Sequence, residues 1–370
     1  MDEFHYVSLS NEVIFGAGSL GRLAEAVDRL GYRRLMLCAS HSMELSGHLA
    51  EVEALLGSRL ALSFAGVKPH VQDVQVDDAV ALALEKQVDG VIGLGGGSPI
   101  GMAKAVAFTL SKEKSIPVFA IPTTYAGSEM TALYGVTHSR ETPPRKVTVS
   151  DPIVAPRLVI YDPQLTLDLS PEMTAATGMN ALAHCIEALY SVTHNPLSSA
   201  CAVSAVHSIN SALLSCYKNG NDLEARTQML IGAHLAGLSL TGVKLGLHHG
   251  LCHILGGTAN VPHGVANSII LPHAIRFNAD ATAAQLLPAA QAMGVTSTTR
   301  KPAAVIDALA QKIADLTAEM NLPQRLREAG VPEADLPRLA RLGFESQTVQ
   351  NNPKHIKDAA QIEKLLREAW

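Results

Sequence analysis

At Asp162-Pro163 the texture of this chain changes, and the change leaves few folds open to it. Before that point, short β-branched and apolar runs alternate with stretches whose apolar residues recur at helical spacing. This is the pattern of repeated strand-helix units around a parallel sheet. Strands are predicted at Val13-Phe15, Arg34-Cys38, Leu60-Phe64, Gly90-Gly95, Val118-Pro122 and Leu158-Tyr161, with helices at Leu20-Leu30, Val74-Gln87 and Ile100-Leu110. Beyond it come long Ala/Leu-rich segments. The first opens at Ser170-Pro171-Glu172 with the cap, first-turn proline and early acid of a helix. The expectation is an α/β domain over 1–162 and an all-α domain over 163–370.

Composition narrows the function. The 29 basic and 34 acidic residues are scattered, without a like-charge run that would track a polyanion, so nucleic acid is not an expected partner. Five cysteines form no C-x-x-C pair, and Asp2, Glu3 and Glu12 stand where an export signal would be basic and apolar, so a cytoplasmic protein is expected. Residues 245–275 contain no Asp, Glu, Lys or Arg, long enough to cross a bilayer, yet they hold five histidines, five glycines and two prolines. Lipid would not tolerate so many imidazoles. The segment reads instead as buried protein built around a site, with no membrane partner.

Two glycine clusters compete for a dinucleotide. Gly16-Ala17-Gly18-Ser19-Leu20-Gly21 has the G-x-G-x-x-G spacing, but the following strand ends Cys38-Ala39-Ser40-His41, without the acid that would bind ribose hydroxyls. These glycines are expected only to turn a strand into a helix. The second cluster runs from a strand through Gly95, Gly96 and Gly97 to Ser98, read as an N-cap, and Pro99 as first helical residue. Free amides and a helix dipole make such a start an anion site. The next strand end adds the hydroxyls of Thr123, Thr124 and Ser128, and the two segments together point to a phosphate-bearing cofactor.

Nine of the fifteen histidines lie between residues 184 and 273. Asn180 and His184 are four apart on one helix face, as are His249 and His253, and His263 follows ten residues after the latter. That spacing suits metal ligands, although Gly250 excludes the hydrolytic H-E-x-x-H.

The motifs FGAGSL, GGGSPIGMAKA, PTTYAGSEMT, YDPQLT, GMNALAH, GLHHGLCHILGG, PHGVANSIILPH and the closing Asn352-Pro353 resemble the iron-containing (group III) alcohol dehydrogenases, and within them the maleylacetate reductases. The resemblance implies a Rossmann-like domain followed by a helical catalytic domain, with NADH or NADPH in the cleft between them, and a homodimer. It places Lys146 with Gly96, Gly97, Ser98, Thr123, Thr124 and Ser128 among the cofactor-binding residues. The family's metal ligands fall on Asn180, His184, His249 and His263, and His253 matches a histidine near the nicotinamide. Asn180 stands where the family has a ligating aspartate, so no bound metal is expected. The implied reaction is reduction of maleylacetate, a small dicarboxylate, to 3-oxoadipate in aromatic-compound degradation. His253 and His249 are its catalytic candidates, and Lys244, Arg276 and Lys354 are the basic residues near these motifs. Two other readings stay open: an iron- or zinc-dependent alcohol dehydrogenase or aldehyde reductase, and a lyase or non-catalytic homologue that binds NAD.

Overall fold

The runs Leu35–Ala39, Gly90–Gly95, Val118–Pro122 and Leu158–Tyr161 are buried at every position, as strands covered on both faces must be. The computed structural model describes residues 4, 6–9, 11–140, 145–295 and 301–370, without the side chains of residues 145 and 146. The side chain of Lys146 therefore lies outside the described residues. The chain divides into two compact units, one spanning Leu9–Leu169 and one holding Ser170–Trp370.

In the first unit, β1 (Glu12–Phe15), β2 (Leu35–Ala39), β3 (Leu60–Phe64), β4 (Gly90–Gly95), β5 (Val118–Pro122) and β8 (Leu158–Tyr161) form a parallel sheet in the order β1-β8-β5-β4-β2-β3. Alternate side chains build two cores. On one face Leu37, Ile92, Ile121 and Ile160 meet α1 (Leu23–Leu30) and α3 (His48–Leu56). On the other, Met36, Cys38, Val91 and Val118 meet α4 (Asp73–Glu85) and α5 (Gly97–Leu110). The chain winds outward through β2 and β3, then restarts at β4 and winds the other way. The crevice where parallel sheets take ligands thus lies at the carboxyl ends of β2 and β4.

Three features of this unit were absent from the expectation. Two are α3 and the short α2 (His41–Leu45) that precedes it; the third is an antiparallel ribbon, β6 (Leu133–His138) with β7 (Arg145–Ser150). The ribbon stands apart from the main sheet and is only partly buried, so it lacks the continuous apolar runs by which the other strands are recognised.

The regular elements of the second unit are helices, with no strand among its described residues: α6 (Pro171–Tyr190), α7 (Pro196–Lys218), α8 (Leu223–Ser239), α9 (Leu247–Ala259), α10 (His263–Ala292), α11 (Pro302–Glu319), α12 (Leu336–Glu345), α13 (Gln347–Gln350) and α14 (Ala359–Glu368). The charge-free stretch becomes α9 and the first half of α10, joined by a corner at Asn260, which takes the left-handed conformation (φ 53°, ψ 29°). Its glycines allow close helix packing. A Cβ on Gly250 would stand 2.5 Å from Val349, and one on Gly264 would stand 2.5 Å from Ala176 of α6. Among the described residues α7 alone is long and apolar enough to cross a bilayer, and it packs against α6, α8 and α10.

Candidate active site

The first glycine cluster already holds an anion of its own. The carboxylate of Asp162 accepts from the backbone N–H of Gly18 (3.1 Å) and of Leu20 (3.0 Å), the amides a pyrophosphate would need. Gly18 itself is left-handed (φ 77°), a conformation only glycine adopts without strain. This cluster is a strand-to-helix turn closed by an internal carboxylate.

The second cluster is open. Helix α5 starts at Gly97 with Gly96 as its N-cap, and no side chain caps it. Ser98 therefore is not the cap expected from sequence. It sits inside the first turn with Pro99, because Gly96 takes the extended conformation and lets the helix begin two residues earlier. A Cβ on Gly97 would meet nothing within 4 Å, whereas one on Gly96 would strike Thr124 at 3.1 Å. The start of α5 is thus uncapped and open at Gly97, with Thr124 beside Gly96. Thr123 donates its N–H to the Gly95 carbonyl (3.1 Å), which fastens the two segments together. Thr123 and Thr124 are buried and Ser128 is half-buried. Ser40 lies beside Gly95, and its hydroxyl would be 3.6 Å from a Cβ there, so the end of β2 brings a hydroxyl rather than an acid to the crevice.

Gly97→Val is therefore expected to raise the nicotinamide Michaelis constant at least about tenfold while the protein stays folded. Gly18→Ala should lower the melting temperature and leave that constant nearly unchanged. Greater damage to cofactor affinity from the Gly18 substitution, in folded protein, would reverse the assignment.

In the helical unit the histidines come together as spaced. His184 of α6 stacks on His249 of α9 with ring centroids 4.8 Å apart, and His249 lies 6.0 Å from His263 and 6.3 Å from His253. His253 stacks on His263 at 5.6 Å. His184 and His249 are buried, His263 is half-buried and His253 is exposed, so the cluster runs from the core to the surface.

Its organiser is Glu187, which sequence reading missed. Fully buried one turn after His184, it accepts from the N–H of Gly246 (3.1 Å), His248 (3.2 Å) and His249 (3.2 Å), and from Nδ1 of the His249 ring (2.5 Å). The carboxylate thereby closes the start of α9, where helix amides and dipole favour negative charge, and fixes the His249 ring. The tautomer follows from this network: with the proton on Nδ1, Nε2 carries the lone pair. Nε2 of His249 and Nδ1 of His184 are buried without hydrogen-bond partners. Burial lowers the pKa of both rings, and His249 lowers His184 further, to well below the ordinary histidine range. Burial alone would raise Glu187, but its bonds to His248 and His249 hold it far below the usual carboxylate range.

A divalent cation in this cluster would be held by His184, His249 and His263 beside the neutral amide of Asn180. Asn267 donates Nδ2 to the His263 carbonyl (2.8 Å), which fixes its amide, and donates the same nitrogen to Oδ1 of Asn180 (3.0 Å). That bond occupies one of the two lone pairs of the Asn180 oxygen. The group gathered within 4.8 Å among the described residues is instead Glu187, His248 and His249, and the oxygens of Glu187 are already taken by N–H donors. Two of the basic residues near the motifs are likewise engaged: Arg276 pairs with Asp307 (2.7 Å) and Lys354 with Asp280 (3.0 Å).

Comparison with known proteins agrees with both units. The family described as iron-containing alcohol dehydrogenase matches residues 10–163, and the C-terminal domain of that family matches residues 174–370. Maleylacetate reductase of Pseudomonas sp. (strain P51) is 38% identical over 369 residues, 99% of this chain and 97% of that protein. The Burkholderia cepacia maleylacetate reductase is 36% identical over 370 residues, 100% of this chain and 98% of that protein. The crystal structure of maleylacetate reductase from Agrobacterium tumefaciens superposes with a TM-score of 0.89 at 32% identity, covering 100% of this chain and 99% of that one.

Proposed function

The chain belongs to the iron-containing alcohol dehydrogenase family, in its maleylacetate reductase branch, and on that premise we propose that it reduces maleylacetate to 3-oxoadipate with NADH or NADPH and without a metal ion. The observation that carries this reading is a histidine cluster built around a neutral Asn180 whose oxygen is held by Asn267. An isolated carbonyl needs a Lewis acid to accept hydride. In maleylacetate the alkene is conjugated to a ketone, and charge arriving at the alkene is delocalised onto the ketone oxygen as an enolate. Hydrogen-bond donors suffice to stabilise that charge.

The dinucleotide would be held by the amides of Gly97 and Ser98 at the start of α5 and by the hydroxyls of Thr123, Thr124 and Ser128. When bound, it supplies a hydride to the alkene carbon remote from the ketone. His249 is braced by Glu187 through Nδ1; to hold the enolate oxygen its Nε2 would take a proton from solvent as the dianionic substrate binds, and the buried carboxylate would stabilise the imidazolium so formed. His253, exposed and stacked on His263, gives the proton to the carbon next to the ketone and regains it from solvent. One hydride and one proton convert the enone diacid to the saturated oxo diacid.

Cofactor choice follows from Ser40. It carries no charge to repel a 2′-phosphate, and Arg33 and Arg34 are turned to Asp28 and to the Lys86 carbonyl, away from this end of the strand. Both NADH and NADPH are expected to support turnover. A more than roughly thousandfold rejection of NADPH would mean that an acid from elsewhere reaches the ribose. The reaction itself is tested by a panel of both cofactors against maleylacetate and simple aldehydes. Oxidation of cofactor in step with loss of maleylacetate supports the proposal, and turnover of aldehydes alone overturns it.

A further inference from the structure

We infer that Lys104 is a positioning residue for the cofactor, pinning the hydroxyl-bearing loop after β5 to the helix whose first turn receives the pyrophosphate. The inference rests on the nicotinamide reading above and names what holds that site in shape. Lys104 lies on α5, about two turns beyond Gly97. Its side chain is fully buried, and Nζ donates to the carbonyls of Ser128 (2.6 Å), Thr131 (2.7 Å) and Leu133 (2.9 Å), with Thr131 Oγ1 at 3.3 Å. Three ammonium protons meet three carbonyls of one segment, which carries Ser128 and leads into β6.

A buried ammonium is costly to keep unless its protons are all engaged. Burial pulls this one down to about 7, and Glu129, itself buried and accepting from the Tyr161 hydroxyl (2.8 Å), opposes the fall. The surrounding oxygens accept from the ammonium and favour its charged form. All of these bonds go to the segment from Ser128 to the first residue of β6, and that segment is joined at its other end to the glycine cluster through Thr123 and Thr124. None of these bonds goes to a strand of the parallel sheet; they go to the segment that carries Ser128 and follows the strand end at Thr123 and Thr124. Gly97, Thr124 and Ser128 are thus held in one register by the helix and its lysine.

Lys104→Met keeps the length of the side chain and removes the charge. In folded variant protein, NADH fluorescence titration should give a dissociation constant raised at least about tenfold, while kcat at saturating NADH and the Michaelis constant for maleylacetate stay within about threefold. A variant with unchanged NADH affinity, or one that loses kcat and both Michaelis constants alike, overturns the inference. If Lys104→Met does not fold, Thr131→Val decides. It removes an oxygen from the same cage without stranding a charge, and should weaken NADH binding about threefold with kcat intact. Unchanged NADH affinity in that variant overturns the inference. If the parent binds neither NADH nor NADPH, the cofactor reading itself fails and takes this inference with it.

Discussion

Replacing His253 with alanine is expected to lower kcat by about 10²–10⁴-fold, the usual contribution of a general acid. Because a proton donor acts in the transition state, kcat and kcat/KM should fall together while the Michaelis constant changes little. His253 is the outermost member of the cluster, exposed to solvent and one helical turn from His249, so it can be reprotonated between turnovers. His184→Ala should cost far less. That ring is buried against His249, and it contributes stacking and orientation rather than a proton. Steady-state rates with maleylacetate and NADH, beside thermal melts of both variants, separate the two. If the His184 variant loses as much turnover as the His253 variant while remaining folded, the proton does not come from the surface end of the cluster.

Asn180→Asp is expected to raise affinity for iron(II) or zinc by about a hundredfold or more, since even outer partners of metal ligands change affinity 10–100-fold. The aspartate would add a negative charge and a second oxygen. One oxygen can keep the bond from Asn267 Nδ2, now made by Oδ1 of Asn180, and the other is released toward the imidazoles of His184, His249 and His263. Metal-dependent aldehyde reduction is the accompanying gain to measure. Should isothermal titration find no tighter binding in the Asp variant than in the parent, these histidines are not arranged as a metal site, and the family's ligand positions do not apply to this chain.

The fold was legible because both halves obey simple periodicities. Strands such as Leu35–Ala39 and Gly90–Gly95 are buried on both faces, and their unbroken apolar runs say so. The ribbon of β6 and β7 was not, because it is a two-stranded element outside the main sheet that is only partly buried and so lacks a continuous apolar run. At the site, the histidines were readable from i, i+4 spacing, since helical geometry brings such residues together without knowledge of the tertiary fold. Glu187 was not. It is three residues after His184 on α6, but its partners at 246, 248 and 249 lie some sixty residues on, and only helix packing unites them. A lone buried carboxylate inside an Ala-rich helix was the available signal, because such a group must be paired. Asn267 was hidden in the same way. Its meaning depends on which atom of Asn180 it faces, and that is a property of the packed structure.

The most direct test of the account is turnover of maleylacetate by enzyme whose metal content is known. After exhaustive treatment with chelator, well under one equivalent of iron or zinc per chain should remain. NADH should still be oxidised in one-to-one step with formation of 3-oxoadipate at an undiminished rate, because hydride reaches a conjugated alkene and the resulting charge is met by histidines rather than by a cation. Loss of that activity on chelation, with recovery when iron or zinc is restored, would contradict it and return the metal to the centre of the mechanism.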